Sequence, residues 1–228
     1  YAPHCRGVAV PHSRTLPLEV VMAGQHRIEN PDDLQAVIGE PLEFMPAKVV
    51  PALDDAMRGF IGAAPLLFVS TVGGNGRIDV SPKGDPAGFV HIDDKGDLLI
   101  PERPGNRLAF GFHNILENPQ VGLIFVVPGT RETLRVKGRA TLHTDPEVLG
   151  AMQVSGKPAL LYTRVAVEEC FFHCGKAMIR SKLWQPDSWQ AQTGSPIARQ
   201  LSVAFTGDEG MAAEVESELE KNYVEELY

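Results

Sequence analysis

Apolar residues change their period once along this chain, and the change divides it into a helical entry and a run of strands. Asn30-Pro31-Asp32-Asp33 offers a cap, a proline at the first helical position and acidic residues in the first turn, with Gly39 as the stop of a short helix. Over 51–62, Leu53, Met57, Phe60 and Ile61 share one stripe opposite Asp54, Asp55 and Arg58, which predicts a second helix whose apolar side plugs a core. From 66 the pattern becomes that of strands. Residues 66–72 are a continuous apolar and β-branched run closed by the hairpin turn Gly73-Gly74-Asn75-Gly76. Residues 77–81 return, a loop over 82–88 interrupts, and 88–92 leads through Asp93-Asp94-Lys95-Gly96 into 97–100. A helix over 108–116 is broken by Asn118-Pro119, and strands over 120–127, 132–143 and 159–174 follow. The clearest alternation lies in 132–143, with Leu134, Val136, Gly138, Ala140 and Leu142 on one face and Thr133, Arg135, Lys137, Arg139 and Thr141 on the other.

Short helices are predicted from the capping box Thr144-Asp145-Pro146-Glu147 to about 153, and over 175–183, ahead of the aromatic-rich loop 184–189. Six or so mostly antiparallel strands with one inserted helix predict a mainly β domain with helical additions that closes as a β-barrel. A doubly wound α/β fold is disfavoured, because strands and helices do not alternate and no glycine-rich dinucleotide fingerprint follows a strand. The organisation expected is an arm at 1–29, a barrel domain with peripheral helices at 30–205, and an acidic helical tail at 206–228 in which Leu219, Tyr223 and Leu227 form one stripe.

Composition narrows the function classes. At 228 residues and 43% hydrophobic, the chain can bury a sizeable core without disulfide or metal support. A formal charge of -8 disfavours nucleic-acid binding, so any anionic ligand must meet a local basic patch. Three cysteines make no disulfide framework and no apolar run reaches a membrane span, which leads us to expect a cytoplasmic protein that works off the membrane. Cys170 and Cys174 with His173 between them fall short of a closed zinc site and read as a buried pair of thiols. Arg135, Lys137 and Arg139 could serve a phosphate, although a solvated strand face is their ordinary reading. His91 and His113 read as partly buried polar residues.

One stretch carries candidate chemistry. Ile100-Pro101-Glu102-Arg103-Pro104-Gly105-Asn106-Arg107 joins a strand to the 108–116 helix: Pro104 and Gly105 turn, Asn106 can cap the helix, and Arg103 and Arg107 bracket the free N–H groups of its first turn. That is the outline of a site for a phosphate monoester.

Taken with Asp79-Val80-Ser81-Pro82-Lys83-Gly84-Asp85, the helix end Asn114-Ile115-Leu116-Glu117-Asn118-Pro119, the strand residues 121–125 and 132–140, and later His173-Cys174-Gly175-Lys176-Ala177 and Arg180-Ser181-Lys182-Leu183-Trp184, this stretch resembles the pyridoxamine 5′-phosphate oxidase-like flavoproteins, and within them the branch of unassigned substrate. The resemblance implies an FMN-binding split antiparallel β-barrel. It places the FMN phosphate at Arg103, Pro104, Gly105, Asn106 and Arg107. The flavin ring would lie along 79–83, with Asp79 at the start of that segment and Ser81 and Lys83 within reach of the ring edge or ribityl chain. A homodimer holding flavin at the subunit interface is implied, Lys182 and Trp184 coming from the partner. The activity implied is an FMN-dependent oxidoreductase acting on a small molecule, with NADH or NADPH as candidate donor. The alternatives are a non-catalytic module that stores or senses FMN, or a barrel that uses deazaflavin or haem. The chain departs from genuine pyridoxamine phosphate oxidases in ending on Glu225-Glu226-Leu227-Tyr228 where they carry an arginine-rich motif, so that substrate is not carried over.

Overall fold

A computed structural model describes residues 27–190 and 194–228, so most of the expected N-terminal arm, and Cys5 with it, lies outside the described residues. The chain divides into two compact units, 1–46 and 47–228. In the first, α1 (Pro31–Ile38) is built as its sequence dictates: the Asn30 side chain accepts from the Asp33 N–H at 2.9 Å, and Gly39, at φ 76°, ends the helix.

The second unit holds β1 (Leu66–Val72), β2 (Ile78–Gly84), β3 (His91–Ile92), β4 (Leu98–Glu102), β5 (Gln120–Val126), β6 (Thr133–His143) and β7 (Leu161–His173). They form one sheet in the order β2-β1-β5-β6-β7-β4-β3, every pair antiparallel. Its concave face carries the core, in which Leu67, Leu98, Ile100, Leu123, Phe125, Leu134, Val136 and Val165 are essentially inaccessible to solvent. The helix α2 (Asp55–Ala63) buries Met57 and Ile61 in that core, its first turn held by the Asp54 carboxylate, which accepts from the Met57 N–H at 2.8 Å. The expected plug is therefore present.

The expected closure of the barrel is not. β2 and β4 stand first and sixth in the sheet order and share no backbone ladder. They nevertheless face each other, because Lys83 of β2 reaches Glu102 of β4 at 2.5 Å, and Arg103 reaches Asp85 at 2.7 Å just past the two strand ends. The sheet curls nearly shut and is joined along this seam by side chains, which makes it a split barrel. The two strands that border the seam each contain a proline, Pro82 and Pro101, and a residue without an N–H suits a strand with a free edge. β2 also runs to Gly84, which shortens the loop expected over 82–88.

The alternation of 132–143 is reproduced: Leu134, Val136, Gly138 and Ala140 are buried and Lys137, Arg139 and Thr141 exposed. A β-bulge at Lys137/Gly138 breaks the register with β7, and a Cβ on Gly138 would lie 2.1 Å from the Ala166 carbonyl oxygen, so only glycine fits there. The outward Lys137 pairs with Glu169 at 2.5 Å in solvent, as a surface strand face should. The thiol pair is overturned. Cys170 is buried in β7, but the strand ends at His173 and Cys174 beyond it is exposed. Among the described residues no group of three or more His, Cys, Asp or Glu side chains is placed to hold a metal, and no helix is long and apolar enough to cross a membrane.

Further helices complete the second unit: α3 (Phe110–Glu117), α4 (Pro146–Ala151), α5 (Lys176–Ser181) and the hairpin of α6 (Pro196–Thr206) with α7 (Ala212–Glu225), of which α6 was not expected from the sequence. Its signals are nonetheless orthodox, with Ser195 as cap, Pro196 at the first position and Gly207 in the left-handed region as the stop.

Candidate active site in the barrel seam

The inward positions of β2 follow from its period of two. Asp79, Ser81 and Lys83 point to the interior while Ile78, Val80 and Pro82 face out. Together with the end of β4, the loop 103–109 and the first turn of α3, these three residues line a cavity of about 560 Å³, within the range of sites that enclose a small ligand. Val69, Ile115, Leu160 and Phe112 supply apolar wall.

At one end Lys83 and Glu102 meet. Glu102 is only 5% exposed, with Lys83 on Oε2 at 2.5 Å and the Thr163 hydroxyl donating to Oε1 at 2.8 Å. Burial pushes the Glu102 carboxyl above the ordinary glutamate range, against the pull of Lys83 and Thr163. The Lys83 ammonium also lies 4.7 Å from the centroid of the Phe112 ring. At the other end Asp79, Thr71 and Ser81 gather around Gly111, whose Cβ, if present, would lie 3.1 Å from Asp79 Oδ2.

Arg103 and Arg107 both line the cavity but differ in state. Arg103 is largely buried. Its Nε donates to Asp85 Oδ2 at 2.7 Å and its Nη2 to the Met152 carbonyl at 2.7 Å, while Nη1 is buried without a partner. The Tyr228 ring lies 5.9 Å from its guanidinium carbon, and Lys157 donates to the Tyr228 carbonyl at 2.5 Å. Burial, and then Asp85, push the Tyr228 phenol upward. Arg107 is exposed and makes no ion pair among the described residues.

The capping expectation needs correction. α3 begins at Phe110, two residues late, behind Ala109 in the left-handed region and with no side-chain cap. Asn106 instead accepts from the Leu108 N–H at 3.0 Å, closing a turn within the loop. Arg107 at φ 61° and Ala109 at φ 54° are both held in a conformation that costs a side-chain-bearing residue roughly 1–2 kcal/mol. The chain bends twice where the sequence pattern reads as continuous helix, and Gly105, Asn106, Arg107, Leu108 and Ala109 all come to border the cavity.

The structure thus gathers Asp79, Ser81, Lys83, Arg103, Gly105, Asn106 and Arg107 around one cavity. Pro104 sits in the same loop, exposed. Lys182 and Trp184 do not border it: Lys182 ends α5 in the left-handed region, and the Trp184 indole donates to the Thr130 carbonyl at 2.8 Å. His113 and His91 are exposed and stand outside the lining. Three participants escaped the sequence reading, Glu102, Asp85 and Tyr228. The first had a signal, since Leu98, Ile100 and Glu102 share one face once β4 is carried to its true end.

Comparisons with known proteins bear on the same region. No curated protein matches. Among solved structures, HupZ from Group A Streptococcus is similar at 20% identity over 53% of this chain and 93% of its own, with a TM-score of 0.43. A putative pyridoxamine 5′-phosphate oxidase from Lactobacillus delbrueckii is similar at 22% identity over 53% and 93%, TM-score 0.40. HutZ, a haem storage protein from Vibrio cholerae, follows at 16% identity over 53% and 94%, TM-score 0.36. These scores give the structures no weight in the assignment, which rests on a family model. The pyridoxamine 5′-phosphate oxidase model matches residues 53–174, more than half of the chain and nearly all of the split barrel, and the chain belongs to that family.

Proposed function

We propose that the protein is an FMN-dependent oxidoreductase acting on a small molecule. The observation that carries this reading is the seam cavity itself: an apolar slot bordered by a buried guanidinium nitrogen with no protein partner, by Lys83, and by a loop whose backbone and Arg107 are exposed to an incoming anion. A flat ring bearing a phosphate fits that chemistry. Arg103, Asn106 and Arg107, with the turn Pro104-Gly105, would hold the phosphate, and the inward face 79–83 would lie along the ring, with Lys83 at its pyrimidine edge. When bound, FMN supplies hydride transfer at its N5. The protein's part is to orient the ring, exclude water with its apolar wall and fix the charges around it.

The reading includes a homodimer. The outward face next to the site is apolar, with Phe68 lying between Pro82 and Ile124 in the register and Ile78 and Val80 exposed beside them. A second copy on this face would bring Lys182 and Trp184 of one protomer toward the flavin of the other.

A spectrum of the purified protein tests the cofactor, since oxidised FMN shows bands near roughly 375 and 450 nm and deazaflavin and haem do not reproduce that pair; mass spectrometry of the released molecule identifies it. Failure to take up added FMN would overturn the reading. Haem is the weaker alternative, because no His, Cys or Met of the described residues borders the cavity to act as an axial ligand. A non-catalytic flavin store is favoured by one fact: the cavity's buried carboxylate, Glu102, is tied to Lys83 and Thr163. Anaerobic reduction by NADH or NADPH followed by reoxidation separates the two, with turnover expected for the enzyme and none for the store.

A further inference from the structure

The Lys83–Glu102 pair occupies an end of the cavity that the phosphate grip does not use. Asp79 and Lys83 lie four residues apart on β2, roughly 13 Å at strand rise, so the cavity has two distinct ends. At the Lys83 end the ammonium is matched by a carboxylate at 2.5 Å, and one wall further on the Arg103 guanidinium is matched by Asp85 at 2.7 Å. An unpaired lysine facing an apolar slot would draw in a carboxylate or phosphate. A paired one does the reverse, because the incoming anion meets the Glu102 carboxylate in a poorly screened wall, and both Glu102 oxygens are already fixed, by Lys83 and by Thr163.

We propose that Glu102 is a specificity-determining residue: by neutralising Lys83 it reserves this end of the cavity for an uncharged or cationic substrate group and closes it to anions. An uncharged hydroxyl can accept from a remaining ammonium hydrogen and donate to the carboxylate; a protonated amine can pair with Glu102 directly. The proposal rests on the flavoprotein reading in one respect, that a second ligand shares the cavity with the cofactor.

The test uses the FMN-loaded protein and three small aromatic probes, benzyl alcohol, benzylamine and phenyl phosphate, measured by calorimetry. The wild-type protein is expected to bind the alcohol or the amine at least about tenfold more tightly than phenyl phosphate. Glu102→Gln should raise the phenyl phosphate affinity by about tenfold or more, and Lys83→Met added to it should remove the gain. Phenyl phosphate binding to the wild type as tightly as the other probes would overturn the proposal. So would a folded Glu102→Gln protein with unchanged phenyl phosphate affinity, or the binding of no probe at all. If Glu102→Gln does not fold, the wild-type ranking decides. Failure of the cofactor reading is seen separately, in a flavin titration before any probe is added; the difference between Glu102→Gln and the double variant is then read on the flavin-free protein.

Discussion

Arg103 and Arg107 are alike in sequence and unlike in place, and the difference predicts how their loss is felt. Arg103 lies buried against Asp85, whose side chain is 2% exposed, so Arg103→Ala strands a carboxylate in the wall and is expected to lower stability by about 3–5 kcal/mol. Arg107 is exposed and unpaired among the described residues. Arg107→Ala should leave the thermal midpoint in place and weaken FMN binding by about 1.5–3 kcal/mol, roughly tenfold to a hundredfold, as a fluorescence titration would register. Equal loss of stability in both variants would undo the distinction. The residues of the loop were legible from their types, since two arginines around a Pro-Gly turn have few other uses. Their partners were not, because Asp85, Met152 and Tyr228 come from elsewhere in the chain and only folding brings them to Arg103.

At the scale of elements, strands with strict alternation were legible and places where the backbone departs from regularity were not. The face of β6 follows from its residues, but the bulge that shifts its register against β7 depends on a neighbour no local window contains. Gly138 carries that bulge. Gly138→Ala would drive a methyl group to within 2.1 Å of a backbone oxygen, and because the clash is with main chain the expected loss is about 3 kcal/mol, at the upper end for overpacking or beyond, read as a fall in the urea midpoint. A loss under about 0.5 kcal/mol would mean that the bulge relaxes freely. The start of α3 was missed for a related reason: two left-handed residues, Arg107 and Ala109, interrupt an apolar period that reads as unbroken helix.

For the whole molecule, the sheet order was beyond local reading, since β4 pairs with β7 across two intervening strands and two helices, and the family resemblance alone implied a split barrel. The same curvature leaves Phe68, Ile78, Val80 and Ile124 as an apolar face on the convex side. If that face is the subunit contact, Val80→Asp should convert a protein of twice the chain mass into one of single mass in light scattering, and weaken flavin uptake with it; a wild-type protein already of single mass would remove the dimer from the reading. The seam has a consequence of a different kind. Ladder-bonded strands stay at a fixed spacing near roughly 4.8 Å, whereas two strands clasped by lysine, arginine and carboxylate side chains can stand as far apart as those side chains are long. Exchanging the clasps would therefore re-tailor the ligand slot without unpicking a single backbone hydrogen bond, which offers one scaffold a route to many different guests.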